Sequence, residues 1–434
     1  MRFPLPRTCA ALAAALLITG AGLRAADATA PEDARARQLT ASAPFKAAVA
    51  VMARDYERYV RELIMLTEIP APPFGETARG GAYAKLLKDA GLENVTTDAE
   101  GNVLGLYRGR GNGPLLAVAA HLDTVFPAET DVKVKRDGSR LSAPGIGDDT
   151  RNLAFMVAFI RALHEAKVPT ASDILFVGNV GEEGPGDLRG VRYLFTKGEW
   201  KDRIKRFITI DGGNNLVVTN GGLGSRRYKV AFKGPGGHSW GAFGLVSPAF
   251  AMGNAIAKFG QLKVPTSPKV TYNVGVVTGG TSVNSIPFEV AMEVDMRAVD
   301  PAALKDVDAK FLKIIAEAVA EENAARSTKE GPIVADIKLI GERPSGVTSP
   351  DHPVLKEVTA LMRAYGKTPA WSTSSTDANL PISLGIPAFS MSSSSPNRGG
   401  RAHALDEWTD VDRATAISDF ELGAAVILSV ANAP

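Results

Sequence analysis

The chain of 434 residues is 45% hydrophobic and 22% charged, with 49 Lys plus Arg against 47 Asp plus Glu and a formal net charge of +2. These values exclude wholesale disorder and fibrous architecture, and the length points to two domains or to one domain with a large insertion. The near-neutral balance gives no field for nucleic acid, and the single cysteine excludes an internal disulfide and cysteine-based zinc or iron–sulfur sites.

In chain order, Arg2 and Arg7 precede an apolar run from Ala10 to Ile18, and Ala26-Asp27-Ala28 offers a small-residue cleavage site. This is the pattern of a secretory signal peptide over residues 1–28, so an exported protein, periplasmic or secreted, is expected. Cys9 lies before the apolar run, which argues against lipidation. Beyond the leader no apolar stretch approaches membrane length, and no membrane partner is expected. Helical periodicity runs over 45–68 and closes at Ile69-Pro70; a second helix covers 77–90 and ends at Gly91. Strands are expected at 103–107 and 115–120, a helix at 148–166, a strand at 173–180, a helix at 187–197 and a strand at 207–210. Buried strands alternating with helices predict an α/β domain with a mostly parallel sheet.

The pattern changes at Gly224. A strand (226–233), a helix (247–260), two strands (270–277 and 288–297), a long helix (301–322) and a last strand (333–340) give the order β-α-β-β-α-β, a ferredoxin-like unit. Helices at 353–365 and 412–431 then return to α/β character. The expected organisation is therefore a catalytic domain in two parts, 31–223 and 343–434, interrupted by an inserted domain at 224–342.

The chemistry-bearing residues sit where α/β folds place ligands, just past the carboxyl ends of strands. The strand 115–120 runs into His121-Leu122-Asp123, and alternate residues of a strand share a face. A Gly-rich turn carries Gly147-Asp148-Asp149. The next strands deliver Gly181-Glu182-Glu183-Gly184 and Asp211-Gly212-Gly213, and Arg401-Ala402-His403 precedes Asp406-Glu407-Trp408. Singly, each piece reads as an ordinary surface turn. Together they gather imidazoles and carboxylates at one topological position, which would be electrostatically costly without a cation and suits zinc when no thiolate is present.

With those stretches, Gly236-Gly237-His238-Ser239, Asn284-Ser285-Ile286-Pro287, Asp295-Met296-Arg297 and Ser375-Thr376-Asp377-Ala378 complete an ordered set. The set resembles the co-catalytic di-zinc hydrolases that include peptidase T, aminoacylase, succinyl-diaminopimelate desuccinylase and glutamate carboxypeptidase, over essentially the whole mature chain. The resemblance implies two divalent metal ions, zinc by expectation. His121, Asp148 and Asp211 would hold one, and Asp148, Glu183 and His403 the other. It implies Glu182 as general base, Asp123 as the group that fixes the His121 tautomer, and His238 as an oxyanion donor acting across a homodimer interface.

Asn284 and Arg343 are candidate anchors for a substrate carboxylate. The family often has Lys where Thr150 stands, and Arg151 beside it is a candidate substitute; Trp240 after His238-Ser239 suggests an altered pocket wall. His164 and His352, outside every motif, are expected to be structural. The leading expectation is hydrolysis of small peptides, closest to the peptidase T-like branch. A carboxypeptidase or N-acyl-amino-acid amidohydrolase is the alternative, and a catalytically silent binding protein the reading from another class.

Overall fold

The computed structural model describes residues 30–111 and 113–434, so the expected leader lies outside the described residues. A nine-stranded sheet organises the larger part of the chain. Its order is Thr96–Thr97, Val103–Tyr107, Ile174–Asn179, Leu115–His121, Ile204–Ile210, Ala388–Met391, Val217–Gly222 and Gly346–Val347, with Ala370–Ser374 also paired to Val217–Gly222. The central run from Ile174–Asn179 to Ala388–Met391 is parallel. Leu115–His121 and Ile174–Asn179 are buried at every position, because helices cover both faces of the sheet. Leu116, Val118, Ala120 and Phe176 pack towards the N-terminal helices and Arg151–Glu165, Pro353–Ala364 and Arg413–Ala431. Ala117, Ala119 and Val177 point the other way, towards Arg189–Thr196 and Asn379–Ser383. The mostly parallel α/β architecture expected from the alternation is the one observed.

Four details differ from the expected elements. The stretch 45–68 is two helices, Ala43–Arg54 and Tyr56–Thr67, broken at Asp55 (φ −92°, ψ 15°) and preceded by another at Pro31–Ala41. The apolar spacing Phe45, Ala48, Met52, Tyr56, Tyr59, Leu63, Leu66 continues through the break, since all these residues face one core. Periodicity alone cannot reveal such a kink. The helix expected from residue 148 begins at Arg151; Asp148 (φ −122°, ψ 89°) and Asp149 (φ −128°, ψ 15°) are outside helical space. Among the described residues one helix, Arg413–Ala431, is long and apolar enough to cross a membrane, which corrects the expectation that no such stretch follows the leader. However, 72% of its apolar window is buried inside the fold, so it is accounted for as a core helix. Finally, Lys135–Asp137, Arg140–Ser142, Trp408–Asp410 and Gly399–Gly400 form a small antiparallel sheet too short to show in the sequence.

Residues 224–343 build a separate antiparallel sheet ordered Val270–Gly279, Glu289–Ala298, Gly224–Lys233, Val334–Arg343. Helices Pro248–Gly260 and Pro301–Ala325 cover one face around Phe232, Phe259, Met292 and Phe311. The first strand lies between the third and the fourth, the arrangement of a ferredoxin-like unit. Both chain crossings into this unit meet one buried side chain. Asn379 donates from Nδ2 to the Leu223 carbonyl at 2.9 Å and to the Pro344 carbonyl at 2.9 Å, while its Oδ1 accepts from Thr376 N.

Asn379→Ala strands these partly buried carbonyls and the buried Thr376 N–H without replacing their partner. Urea denaturation is expected to show a loss of about 1–3 kcal/mol in unfolding free energy. An unchanged midpoint would mean that the two crossings are held by other contacts.

Candidate metal centre

The carboxyl ends of three adjacent parallel strands aim at one point. Leu115–His121 ends on His121, Ile174–Asn179 leads through Val180-Gly181 to Glu182 and Glu183, and Ile204–Ile210 leads to Asp211. Asp148 enters from the turn before the helix Arg151–Glu165, and His403 from the loop before Trp408–Asp410. Asp148 lies between the two imidazoles: its Oδ1 is 3.0 Å from His121 Nε2 and its Oδ2 is 3.2 Å from His403 Nε2. His403 Nε2 is also 2.8 Å from Glu183 Oε1. Potential ligand atoms of His121, Asp148, Asp149 and Asp211 lie within 4.8 Å of one another, and so do those of Asp148, Glu183 and His403. The five residues expected as ligands are thus brought together, with Asp148 common to both groups.

The turn that carries Asp148 is held by a buried carboxylate. Glu407 accepts from Gly145 N (3.0 Å), Gly147 N (2.7 Å) and Asp148 N (2.8 Å). Gly145 takes a left-handed conformation (φ 75°), and the main chain then leaves helical space, so that the Asp148 carboxylate projects inward rather than along a helix. Thr150 donates to the Gly145 carbonyl and pairs with Thr67. Arg151 donates to the Gly212 carbonyl at 2.7 Å, linking this turn to the Asp211 loop.

Asp123 differs in detail from its expected part. The atom nearest to His121 Nδ1 is the Asp123 backbone carbonyl, at 3.0 Å, whereas its carboxylate Oδ1 is 3.6 Å away. The carboxylate instead accepts from Glu182 N (3.0 Å) and Glu183 N (2.8 Å). The chain turns after His121, so strict alternation along the strand no longer applies. Nδ1–H faces that carbonyl, which leaves Nε2, 3.0 Å from Asp148 Oδ1, as the ring atom that would turn to a cation once its own proton is lost.

The electrostatics are those of an overcrowded acidic site. Burial pushes the Asp149 carboxyl well above its ordinary value, and burial with the charge of Asp148 takes Asp211 up to about 6. Burial opposes charge on His121, but Asp149, Asp123 and Asp148 outweigh it and raise its pKa. Burial also opposes charge on Asp148, and the hydrogen bonds to both imidazoles overcome it and lower its pKa. Hydrogen bonds to Asp148 and Glu183 take His403 up to about 10. Protonated imidazoles are therefore standing where positive charge is required. This donor set, with carboxylates and imidazole nitrogens only and one carboxylate shared, fits a pair of divalent cations.

Other residues were missed or are found elsewhere. Asp149 accepts from His121 N at 3.0 Å and from Asn152 Nδ2 at 2.5 Å, so it anchors the backbone of a cluster residue. Asp377, fully buried behind the site, accepts from Asn179 Nδ2 at 2.7 Å and is pushed by burial up to about 7. Glu407, Asp149 and Asp377 all stand in motifs visible in the sequence, but nothing there distinguishes a ligand from a residue that holds a loop.

Arg343, a candidate anchor for a substrate carboxylate, is buried, and its guanidinium is engaged by Glu182. His238 and Asn284 lie in the inserted domain on paired segments, Gly237–His238 against Ser285–Ile286. Among the described residues neither forms a hydrogen bond with the cluster; the Asn284 side chain accepts from Ser282 Oγ. His164 packs edge-on against Tyr107, and His352 caps its helix by accepting from Val354 N, both structural as expected.

Residues 117–433 match the profile of peptidase family M20/M25/M40. A curated relative from Neosartorya fischeri, described as a probable carboxypeptidase, is 26% identical over 274 residues, 55% of this chain and 60% of that protein. The chain spans about half the length of the curated relatives it matches. Among solved structures, the aminopeptidase PepT of Bacillus cereus superposes with a TM-score of 0.69 at 21% identity, covering 87% of this chain and 99% of that one. A tripeptidase from Staphylococcus aureus superposes with a TM-score of 0.68 at 19% identity, covering 86% and 97%. At these identities the superpositions establish a shared fold.

Cation binding would displace protons from His121 and His403, whose pKa values the neighbouring carboxylates raise. Calorimetric titration of chelator-treated protein with Zn²⁺ in buffers of different ionisation enthalpy is expected to show proton release and affinity that rises with pH. Glu407→Ala frees the turn that carries Asp148 and should weaken binding roughly 10–100-fold. Binding without proton exchange would contradict this assignment of the cluster.

Proposed function

The chain belongs to peptidase family M20/M25/M40, and on that premise we propose that it is an exported di-zinc hydrolase that cleaves amide bonds of small peptides. The observation that carries this reading is Asp148 placed between two imidazoles with Glu182 on the adjoining loop. His121, Asp148 and Asp211 would hold one ion, and Asp148, Glu183 and His403 the other. Bound there, the ions supply a Lewis acid for the scissile carbonyl and acidify water.

The remaining work belongs to side chains of this protein. Glu182 takes a proton from water and returns it to the leaving amine nitrogen. Its Oε1 is engaged by Arg343, which leaves Oε2 to carry that proton. Burial raises the pKa of Glu182 well above the usual carboxylate range, which suits a base that must later act as an acid. His238 is exposed, and its Nδ1 accepts from Trp240 N (3.2 Å) and Gly241 N (3.3 Å). The ring proton is thus on Nε2, facing outward, where it can donate to a developing oxyanion. Within one chain, among the described residues, His238 makes no hydrogen bond to the cluster, so we assign it to the site of a second copy, in a homodimer.

Two observations bear on the substrate. The aminopeptidase and tripeptidase folds favour trimming of di- and tripeptides from the amino end. The carboxypeptidase relative supports a second reading, release of a C-terminal residue. The leader-like segment at 1–28 supports export.

Glu182→Ala is expected to retain zinc, read by metal analysis, and to lose roughly 10²–10⁴-fold in turnover. Exhaustive chelation should abolish turnover, and added Zn²⁺ should restore it. The substrate is identified by mass spectrometry on dipeptides, tripeptides and N-acyl amino acids, with amino-terminal trimming expected. Full activity of the variant would overturn the role of Glu182, and retained activity after chelation would overturn the two-metal reading.

A further inference from the structure

The inserted domain is not merely tethered to the catalytic domain; its last strand ends on the loop that carries Glu182. Arg343, the final residue of Val334–Arg343, is 5% exposed. Its Nη1 donates to Glu182 Oε1 at 2.8 Å and to Ser375 Oγ at 3.0 Å, and its Nη2 donates to the Glu182 backbone carbonyl. The residue before it is gripped by the continuation of the same loop. Glu342 N donates to both carboxylate oxygens of Asp187, each at 3.0 Å, and the Glu342 carbonyl accepts from Arg192 Nη2 at 2.7 Å.

The loop has little of its own to fix the direction of Glu182. Gly181 and Gly184 have positive φ values (66° and 46°). The local supports are Asp123 on the two Glu backbone amides and the turn from Gly186 N to the Glu183 carbonyl. These hold the amides of Glu182 and Glu183, and leave the Glu182 carbonyl and side chain to be held from outside the loop. Among the described residues Arg343 is the one side chain hydrogen-bonded to the Glu182 carboxylate. A planar fork that binds the carboxylate and the carbonyl of one residue restricts that side chain to a narrow set of rotamers.

We propose that Arg343 is a positioning residue: it sets the direction in which Glu182 presents its free oxygen, and it makes that direction depend on the seating of the inserted domain. This rests on Glu182 being the base. It differs from a substrate-carboxylate anchor, the role its sequence position suggests, because the guanidinium is already committed to Glu182. Movement of the inserted domain about the two crossings held by Asn379 would carry Arg343 with it and so move the base.

The test compares wild type, Arg343→Ala and Arg343→Lys in two assays. Hydrogen exchange without substrate should show amides of residues 181–187 exchanging about tenfold faster in Arg343→Ala, with Arg343→Lys between it and wild type. Amides of the helix Pro301–Ala325 should stay unchanged, which controls for folding. This readout does not require activity, so it stands even if the peptidase reading fails. In turnover, Arg343→Ala should lower kcat roughly 10–100-fold with KM within about threefold of wild type. The loss should be equal for a peptide and for its C-terminal amide, and free guanidinium should restore part of it. A loss in KM that disappears with the amide would overturn the proposal in favour of a substrate anchor. Unchanged exchange at 181–187 would overturn it independently.

Discussion

The constraint on which this structure depends is the crowding of buried carboxylates at the ends of parallel strands. Asp148, Asp149, Glu182, Glu183 and Asp211 meet where the sheet stops; His121 and His403 bring compensating charge between them, and Arg343 brings it at Glu182. Like charges in a poorly solvated place cannot all ionise. The raised pKa values of Asp149 and Asp211 and the lowered one of Asp148 are three outcomes of the same competition. A fold selected for stability alone would dilute such a cluster. Gathered at one topological position, the cluster fits bound cations, which would take the place of the protons on His121 and His403.

Not every acid in the cluster answers to a cation. Asp123, Asp149 and Glu407 each receive backbone N–H groups from segments that bear candidate ligands: Glu182 and Glu183, His121, and the Gly145–Asp148 turn. A carboxylate that accepts amide protons is orienting a loop, and its oxygens are already engaged. This division separates ligands from supports more clearly than distance does, since Asp149 lies within ligand reach of the others yet has both oxygens in use. The supports also explain why non-helical backbone at Asp148 is tolerated: three hydrogen bonds to Glu407 replace those a helix would have made.

Much of this was legible in the sequence because strand ends are. Buried apolar runs such as Leu115–Ala120 announce a parallel sheet, and the residue after the run must emerge at its carboxyl edge. The β-α-β-β-α-β order was legible for the same reason, since alternation and helical spacing differ in period. What stayed hidden depends on tertiary partners. The kink at Asp55 leaves no trace because the apolar stripe crosses it intact. The helix expected from residue 148 starts later because Glu407, about 260 positions away, captures the turn. The part of Arg343 was hidden because an arginine near a candidate site looks the same whether it faces solvent, substrate or a buried glutamate.

That last ambiguity has a structural consequence. An inserted domain joined by two crossings could pivot freely, and Glu182 on its glycine-containing loop could point in several directions. The structure removes both freedoms with one set of contacts. Asn379 holds the crossings on one side, and Asp187, Arg192 and Glu182 hold the strand end on the other. Because Asp187 and Arg192 follow Glu182 on the same segment, the seating of the inserted domain and the direction of Glu182 are mechanically one variable. A cluster built at the rim of a sheet is open by construction, and here the last strand of the inserted domain ends against that rim and holds Glu182.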